Sequence, residues 1–300
     1  MLDSLTTEAR NPASEMLDAL TPAEIVQLIN AEDAKVAAAV GEQSAAIASA
    51  IETISARLAT GGRLIYFGAG TSGRLGVLDA VECPPTFNTD PSNVIGLIAG
   101  GLDALTSAIE GAEDNPQLGE DDLKSIGLTS QDSVVGIATS GRTPYVLGGL
   151  EYARQVGAFR VGLACNRDAE LTTRCDVNII PVVGPEVLSG STRMKAGTAT
   201  KMVLNMLSTG VMIQLGKTYG NLMVDLRATN SKLLARATRI VAVSTKLTEV
   251  AAQQLLKDCN GEVKTAILSF HSGHPPDAAR RVLHTCKGHL QQALATNKSS

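Results

Sequence analysis

The chain has 300 residues, of which 44% are hydrophobic and 3% aromatic, and this length allows one large domain and a small one. A formal net charge of −4 argues against nucleic-acid binding, and polar residues within the longest apolar segment argue against a membrane span. Five scattered cysteines without a Cys-x-x-Cys pair, and acidic residues near the N-terminus where a signal peptide carries cations, predict a protein of the cytoplasm.

Helices and then strands follow a polar arm formed by residues 1–20. Thr21 to Glu24 form a capping box with proline at the first helical position, and a second, alanine-rich helix is expected to end at Leu58. Buried strands that alternate with helices form parallel sheets, so we predict an α/β fold with a doubly wound parallel sheet flanked by helices. The five short apolar strands are Leu64–Phe67, Val94–Ile98, Val134–Ala138, Arg160–Ala164 and Val177–Pro181.

Beyond residue 245 the strand pattern stops and short helical patterns follow, separated by glycine and proline turns. Each of these segments is too short to be stable alone, so they are expected to pack together. We therefore predict two domains: residues 1–245, which include the N-terminal helical arm, and a small helical subdomain at residues 246–300.

The first glycine-rich turn, Gly68 to Gly73, follows the first strand and opens a helix. It fits Gly-x-Gly-x-x-Gly, but a nicotinamide site needs an acidic residue at the end of the second strand, and Ile98 to Gly101 contain none. Threonine and serine at the helix start favour a phosphate or sugar site, while a purely structural turn is the alternative. The candidate binding residues are Gly70, Thr71, Ser72 and Gly73.

A second polar turn, Thr139 to Pro144, follows the third strand in the same way. Its hydroxyls, its glycine and the first amides of the next helix suit a phosphate dianion, and a helix cap without a ligand is the alternative. Both turns follow strands at the sheet edge where ligands bind open α/β sheets. The candidate phosphate-binding residues here are Thr139, Ser140, Gly141, Arg142 and Thr143.

The segment Gly184 to Lys201 surrounds two basic residues with hydroxyls and glycines where a loop turns into an apolar helix. This composition suits a polar, anionic small molecule, because glycines let the backbone approach and the cations neutralise charge. A bare helix N-terminus would add unpaired amides and the positive end of the dipole. The candidate binding residues are Ser191, Thr192, Arg193 and Lys195.

This segment resembles the signature shared by bacterial N-acetylmuramic acid 6-phosphate etherases and the animal glucokinase regulatory protein, both built on the sugar isomerase domain. The two polar turns resemble the sugar-binding and phosphate-binding loops of that domain, with Thr139 in place of the usual first serine of Ser-x-Ser-Gly-x-Thr. The resemblance covers nearly the whole chain, and the C-terminal helices look like the ubiquitin-associated-like module of these etherases. It implies a homodimer in which each subunit completes the partner's pocket.

Two glutamates are candidates for acid–base chemistry. Glu82 precedes Pro84 and Pro85, which are expected to end its helix, and the negative end of the helix dipole would then raise the pKa of this carboxyl. Glu113 lies in an acidic loop, and residue type alone allows both glutamates to be solvated surface groups. The glutamates of the corresponding Glu-Cys-Pro-Pro and Ala-Glu-Asp segments are catalytic in the etherase family, which implies this role for Glu82 and Glu113.

The resemblance implies a carbon–oxygen lyase that cleaves the D-lactyl ether of N-acetylmuramic acid 6-phosphate with water, giving N-acetylglucosamine 6-phosphate and D-lactate in cell-wall recycling. Elimination followed by hydration needs neither a metal nor an organic cofactor, and the four histidines fit no common zinc pattern. The expected partners are a small phosphosugar and a second copy of the chain. The main alternative is a non-catalytic phosphosugar-sensing regulator. The known regulator has two sugar isomerase domains, whereas this chain holds one. A third possibility, an aldose–ketose isomerase, shares the fold but lacks the signature.

Overall fold

The computed structural model describes residues 6–226 and 231–296. Its contacts divide the chain into two compact units, one formed by Met1–Val81 and Pro91–Ser208 and the other by Glu82–Asp90 and Thr209–Ser300. The division reflects the density of contacts and does not show which part of the chain folds independently. The predicted domain boundary at residue 245 therefore stays a prediction.

The first unit begins with an arm that contains two 3-10 turns, Pro12–Ser14 and Leu17–Ala19. The predicted capping box is confirmed: the Thr21 hydroxyl accepts from the Glu24 amide, and the Glu24 carboxylate accepts from the Thr21 amide at 2.8 Å. The helices that follow are α1 (Pro22–Asp33), α2 (Val36–Gly41) and α3 (Ser44–Leu58).

The five predicted strands are confirmed and form one parallel sheet in the order β2-β1-β3-β4-β5. Every residue of β1 and β3 is buried, as expected of central strands covered on both faces. The strand order reverses between β1 and β3, which is the point where ligands bind open sheets. The strands are β1 (Leu64–Gly68), β2 (Val94–Ile98), β3 (Ser133–Ile137), β4 (Phe159–Leu163) and β5 (Val177–Ile179).

Helix α4 (Gly70–Phe87) follows β1 and is longer than the sequence predicted. Pro84 and Pro85 were expected to end it, but both lie inside the helix, which ends at Phe87 and is followed by Asn88 with a positive φ of 50°. A proline removes only its own amide, and the last turn re-forms because the Asn88 amide donates to the Pro84 carbonyl at 2.9 Å. Glu82 therefore lies within the helix, five residues before its last residue, and the expected helix end at this position is wrong.

Helices α5 (Pro116–Ser125) and α6 (Pro144–Val156) pack closely against each other. Gly119 permits this approach, because a Cβ atom there would collide with the Tyr145 carbonyl oxygen. Beneath them, Phe67, Tyr145 and Leu150 belong to the buried core that fixes α6 on the sheet. Helix α7 (Lys195–Gln214) begins within the predicted signature segment.

The second unit contains the hairpin strands β6 (Thr218–Tyr219) and β7 (Leu222–Met223), which the sequence did not predict, and the predicted C-terminal helices. One apolar core holds these short elements together and includes Val241, Leu256 and Ile267. None of the described helices is long and apolar enough to cross a membrane. The helices are α8 (Ser231–Thr245), α9 (Glu249–Asp258), α10 (Val263–Ser272), α11 (Pro276–Thr285) and α12 (Leu290–Thr296).

Candidate phosphosugar site

The two polar turns lie side by side at the carboxyl ends of β1 and β3. The Ser72 and Thr139 hydroxyl oxygens are 3.4 Å apart, which joins the first turn to the second. Gly73 has to be glycine, because a Cβ atom there would lie 2.5 Å from the Gly68 carbonyl oxygen. Gly70 opens α4 with a positive φ of 53°. The structure thus brings the candidate residues of both turns together at the switch point of the sheet.

The second turn is shaped by Gly141, whose φ is +73° and whose missing Cβ makes room for Ala169. The Ser140 hydroxyl accepts a hydrogen bond from the Arg142 amide at 3.2 Å. Thr143 occupies the N-cap position of α6, but its side chain makes no capping bond to the helix amides. The first amides of α6 are engaged within the protein, because the Tyr145 amide donates to the Glu113 carbonyl at 3.0 Å and the Val146 amide donates to the Thr143 carbonyl at 2.9 Å. The expectation that these helix amides bind a phosphate is therefore wrong, and the hydroxyls of the turn remain its candidate phosphate ligands.

Asn166, which the sequence analysis missed, fixes the second turn from the end of β4. Its side-chain amide is buried and donates to the Thr139 carbonyl at 2.9 Å and to the Thr7 hydroxyl at 3.1 Å. The Thr7 amide in turn donates to the Asn166 side-chain oxygen at 3.3 Å. The N-terminal arm is thereby attached to the candidate phosphate turn. A polar residue three positions after the end of a buried strand, at the same edge as the two turns, is the signal that points to Asn166.

The sequence predicted unpaired amides at the N-terminus of α7. In the structure Glu186 caps this end of the helix. The fully buried Glu186 carboxylate accepts hydrogen bonds from the Lys195 amide at 3.0 Å and from the Ala196 amide at 2.9 Å. A carboxylate satisfies unpaired helix amides in the same way as an anionic ligand would. These two amides are therefore engaged within the protein. The expectation that they bind an anionic ligand is wrong.

Lys195 lies in a buried ion pair with Glu32 of α1 rather than at the surface. Its side chain is 1% exposed, and its ammonium is 2.5 Å from the Glu32 carboxylate, which also bonds the exposed Lys35. Burial alone raises the pKa of Glu32, but hydrogen bonds from Lys195, Lys35 and Asn11 outweigh it and lower the pKa to about 2. This position does not support the predicted contact between Lys195 and a ligand, because the ammonium is shielded from solvent.

We expect Glu32→Gln to lower the free energy of unfolding by about 3–5 kcal/mol at neutral pH, because Lys195 would remain buried without its counter-ion. The depressed pKa means that the wild-type contribution is present at neutral pH and is lost as the pH falls from about 4.5 through about 2. Urea unfolding at pH 7 and pH 3 measures both effects, with Asp33→Asn, the next carboxylate along α1, as the control. Equal loss of stability at both pH values, or an equal loss in the control, would contradict the ion-pair assignment.

The remaining part of the signature segment lies beside the first turn. A Cβ atom on Gly197 would be 3.6 Å from the Thr192 carbonyl oxygen and 3.7 Å from the Thr71 methyl carbon. Ser191 and Thr192 are half-buried, and Arg193 is exposed. Of the two candidate cations Arg193 and Lys195, Arg193 is therefore the one that a ligand can reach.

Glu113 lies next to the first turn, whereas Glu82 is exposed on α4. Glu113 lines a cavity of about 230 Å³ together with Gly70 and Arg74. Its carbonyl oxygen accepts a hydrogen bond from the Tyr145 amide at 3.0 Å, which ties it to the first turn of α6, and the residue as a whole is exposed. The structure thus brings one of the two candidate carboxylates to the edge of the sheet that carries the polar turns. The catalytic roles of both stay predictions at this point.

Comparison with known proteins gives matches along nearly the whole chain. Residues 46–154 match the model of the glucokinase regulatory protein N-terminal SIS domain, and residues 220–270 match that of the C-terminal lid domain of glucokinase regulatory protein. The phosphoheptose isomerase structure from Neisseria gonorrhoeae is similar over 64% of this chain and 98% of that chain, with a TM-score of 0.50 and 16% identity, which shows the fold alone.

Similarity to full-length relatives is much higher. The chain is 59% identical to the N-acetylmuramic acid 6-phosphate etherase of Rhodopirellula baltica, with 98% of both chains covered. It is 56% identical to the protein of the same name from Brucella anthropi, with 99% of this chain and 97% of the relative covered. Such identity over full length establishes common family membership. The chain belongs to the N-acetylmuramic acid 6-phosphate etherase family.

Proposed function

We propose that this protein is a carbon–oxygen lyase that cleaves the D-lactyl ether of N-acetylmuramic acid 6-phosphate with water, giving N-acetylglucosamine 6-phosphate and D-lactate in cell-wall recycling. The observation that carries the proposal is the convergence at one sheet edge of the Ser72 and Thr139 hydroxyls with the cavity lined by Glu113. The relatives at 59% and 56% identity bear the name of this activity. Release of lactate from N-acetylmuramic acid 6-phosphate by the purified protein tests the proposal.

The chemistry of the substrate explains how carboxylates suffice for the reaction. The open-chain sugar has an aldehyde at C1, which acidifies the hydrogen on C2. A base removes that proton, the bond between C3 and the lactyl oxygen breaks, and lactate leaves after its oxygen is protonated. Water then adds to C3 of the unsaturated aldehyde, and C2 regains a proton from solvent. The carbonyl of the substrate accepts the electrons throughout, and each acid–base group contributes roughly 10²–10⁴-fold.

We assign removal of the C2 proton to Glu113, and protonation of the departing lactate oxygen, followed by activation of water, to Glu82. Support for Glu113 comes from the cavity that it lines together with Gly70 of the first sugar turn. Glu82 is exposed on α4, the helix that this same turn opens. The corresponding family segments, Glu-Cys-Pro-Pro and Ala-Glu-Asp, support the pair.

The second turn is proposed to bind the phosphate group. Replacing Ser140 or Thr143 with alanine removes a hydrogen bond to a charged group, worth about 1.5–3 kcal/mol, so the KM for the phosphorylated sugar should rise roughly 10- to 150-fold. Steady-state kinetics with the phosphorylated and unphosphorylated sugars measure the effect. Ser130→Ala, a hydroxyl loss at the opposite end of β3, is the control. Turnover of the unphosphorylated sugar by the wild type at the same KM would contradict the assignment of this turn.

We further propose that the protein is a cytoplasmic homodimer whose subunits complete each other's pockets, and that residues 246–300 form a separate small helical subdomain. Support comes from the sugar isomerase fold and from the exposed Arg193, which a partner subunit could surround. Sedimentation of the active protein tests the assembly, and a fully active monomer would exclude it.

A non-catalytic phosphosugar sensor is the second candidate, because both matched family models come from a regulatory protein. A sensor and an enzyme would share the phosphosugar turns but not the acid–base pair. Titration calorimetry and a lactate assay on the same preparation separate them. Binding of N-acetylmuramic acid 6-phosphate without any lactate at high protein concentration would favour the sensor.

A further inference from the structure

Arg74 connects the helix that opens at the first sugar turn to the loop that carries Glu113. It lies in α4, directly after Gly73, and is half-buried. The Nε atom donates to the Leu105 carbonyl at 3.1 Å, and an Nη2 atom donates to the Ser107 carbonyl at 3.3 Å. Both carbonyls belong to the loop between β2 and α5. One side chain therefore fixes this loop relative to the turn that begins α4.

The side chains that this loop buries fully are small. Ala104 and Ala112 are buried, whereas the larger Leu102 and Ile109 are 81% and 43% exposed, and the loop contains one short 3-10 turn, Leu102–Leu105. Its far end is held by the Tyr145 amide, which donates to the Glu113 carbonyl. Directional hydrogen bonds at both ends thus define the path of the loop, and Arg74 supplies those at the near end.

Arg74 and Glu113 also line the same cavity of about 230 Å³, next to Gly70. A base acts only when it lies within hydrogen-bond reach of the proton that it abstracts. A displacement of about 1 Å, caused by a change remote from the chemistry, costs on the order of 10²-fold in rate. Loss of the bonds from Arg74 would allow a displacement of this size in a loop whose fully buried side chains are alanines.

We propose that Arg74 is a positioning residue that holds Glu113 over the first sugar turn and so sets the rate of proton removal at C2. The inference rests on the proposed function, in which Glu113 is the base. Arg74 acts through backbone carbonyls and does not touch the reacting atoms, so its loss should lower kcat and leave KM nearly unchanged.

The test compares Arg74→Ala with Arg57→Ala, a matched control on α3. The Arg57 guanidinium also donates to two backbone carbonyls, those of Ser130 at 2.7 Å and Asp132 at 3.2 Å, but at the opposite end of the sheet. Both variants lose backbone hydrogen bonds of the same kind, and Arg57→Ala also loses a contact of its guanidinium with the Phe159 ring at 5.6 Å, so a general effect on stability would be at least as large in the control. Deuterium incorporation at C2 in heavy water, lactate release and KM are measured for each on N-acetylmuramic acid 6-phosphate.

We expect Arg74→Ala to incorporate deuterium and release lactate roughly 10- to 100-fold more slowly than the wild type, with KM within about threefold. Arg57→Ala should match the wild type, and Arg74→Lys, which keeps a donor group but not the planar guanidinium, should recover part of the lost rate. Unchanged deuterium incorporation in Arg74→Ala, equal slowing in Arg57→Ala, or a rate in Arg74→Lys as low as that in Arg74→Ala would overturn the inference. A wild-type protein that releases no lactate would instead overturn the proposed function.

Discussion

Glu82→Gln should lower lactate release by roughly 10²–10⁴-fold, because the amide cannot protonate the departing ether oxygen. The structure places Glu82 at the surface of α4, so the substitution removes an exposed charge and should leave the fold intact. Exchange of the C2 hydrogen with solvent should persist, since Glu113 would still remove that proton. Lactate release and deuterium incorporation, measured in one reaction in heavy water, separate the two steps.

A neighbouring carboxylate provides the control for this experiment. Asp114→Asn removes an exposed acidic group next to Glu113 and should leave both steps within about twofold of the wild type, as surface changes usually do. If Glu82→Gln released lactate at the wild-type rate, the assignment of the acid would be wrong. If it lost C2 exchange as well, Glu82 would also take part in proton removal.

Glu113→Gln should suppress both steps, because the elimination cannot begin until the C2 proton has been removed. The expected loss is again roughly 10²–10⁴-fold in kcat, with little change in KM, since the phosphate turn is untouched. Single-turnover deuterium incorporation is the decisive measurement. The carbonyl of residue 113 still accepts from the Tyr145 amide after the substitution, so the loop should keep its path.

The outcome for Glu113 also bears on Arg74. An exchange rate in Glu113→Gln that equals the wild-type rate would remove the base from the scheme and with it the reason for a positioning residue. If Arg74→Ala and Glu113→Gln both slow exchange, the double variant should be no slower than Glu113→Gln alone. Additive losses would mean that Arg74 acts on something other than Glu113.

The sheet and the two polar turns were predictable because their signals are local. Each strand is a short apolar run that ends at a turn or loop. Because the strands are parallel, the two polar turns that follow β1 and β3 lie at the same edge of the sheet. The close approach of the Ser72 and Thr139 hydroxyls follows from that placement. The end of α4 was less predictable, since a proline near the last turn of a helix costs one hydrogen bond without dictating where the helix ends.

Contacts between distant parts of the chain could not be predicted in the same way. Lys195 looked like a ligand-binding cation, but its partner Glu32 is 163 residues away, and no spacing rule connects them. The cap by Glu186 and the bonds from Arg74 to backbone carbonyls likewise depend on how loops fold over the sheet edge. Such side-chain contacts decide which polar residues remain available to a ligand.

The central claim is cleavage between C3 of the sugar and the lactyl oxygen by elimination and hydration, and the most direct test uses water labelled with heavy oxygen. The purified protein is incubated with N-acetylmuramic acid 6-phosphate in this water, and both products are analysed by mass spectrometry. We predict heavy oxygen at C3 of N-acetylglucosamine 6-phosphate and unlabelled D-lactate, because lactate keeps the original ether oxygen. Heavy oxygen in the lactate, or no lactate at all, would contradict the mechanism proposed for this protein.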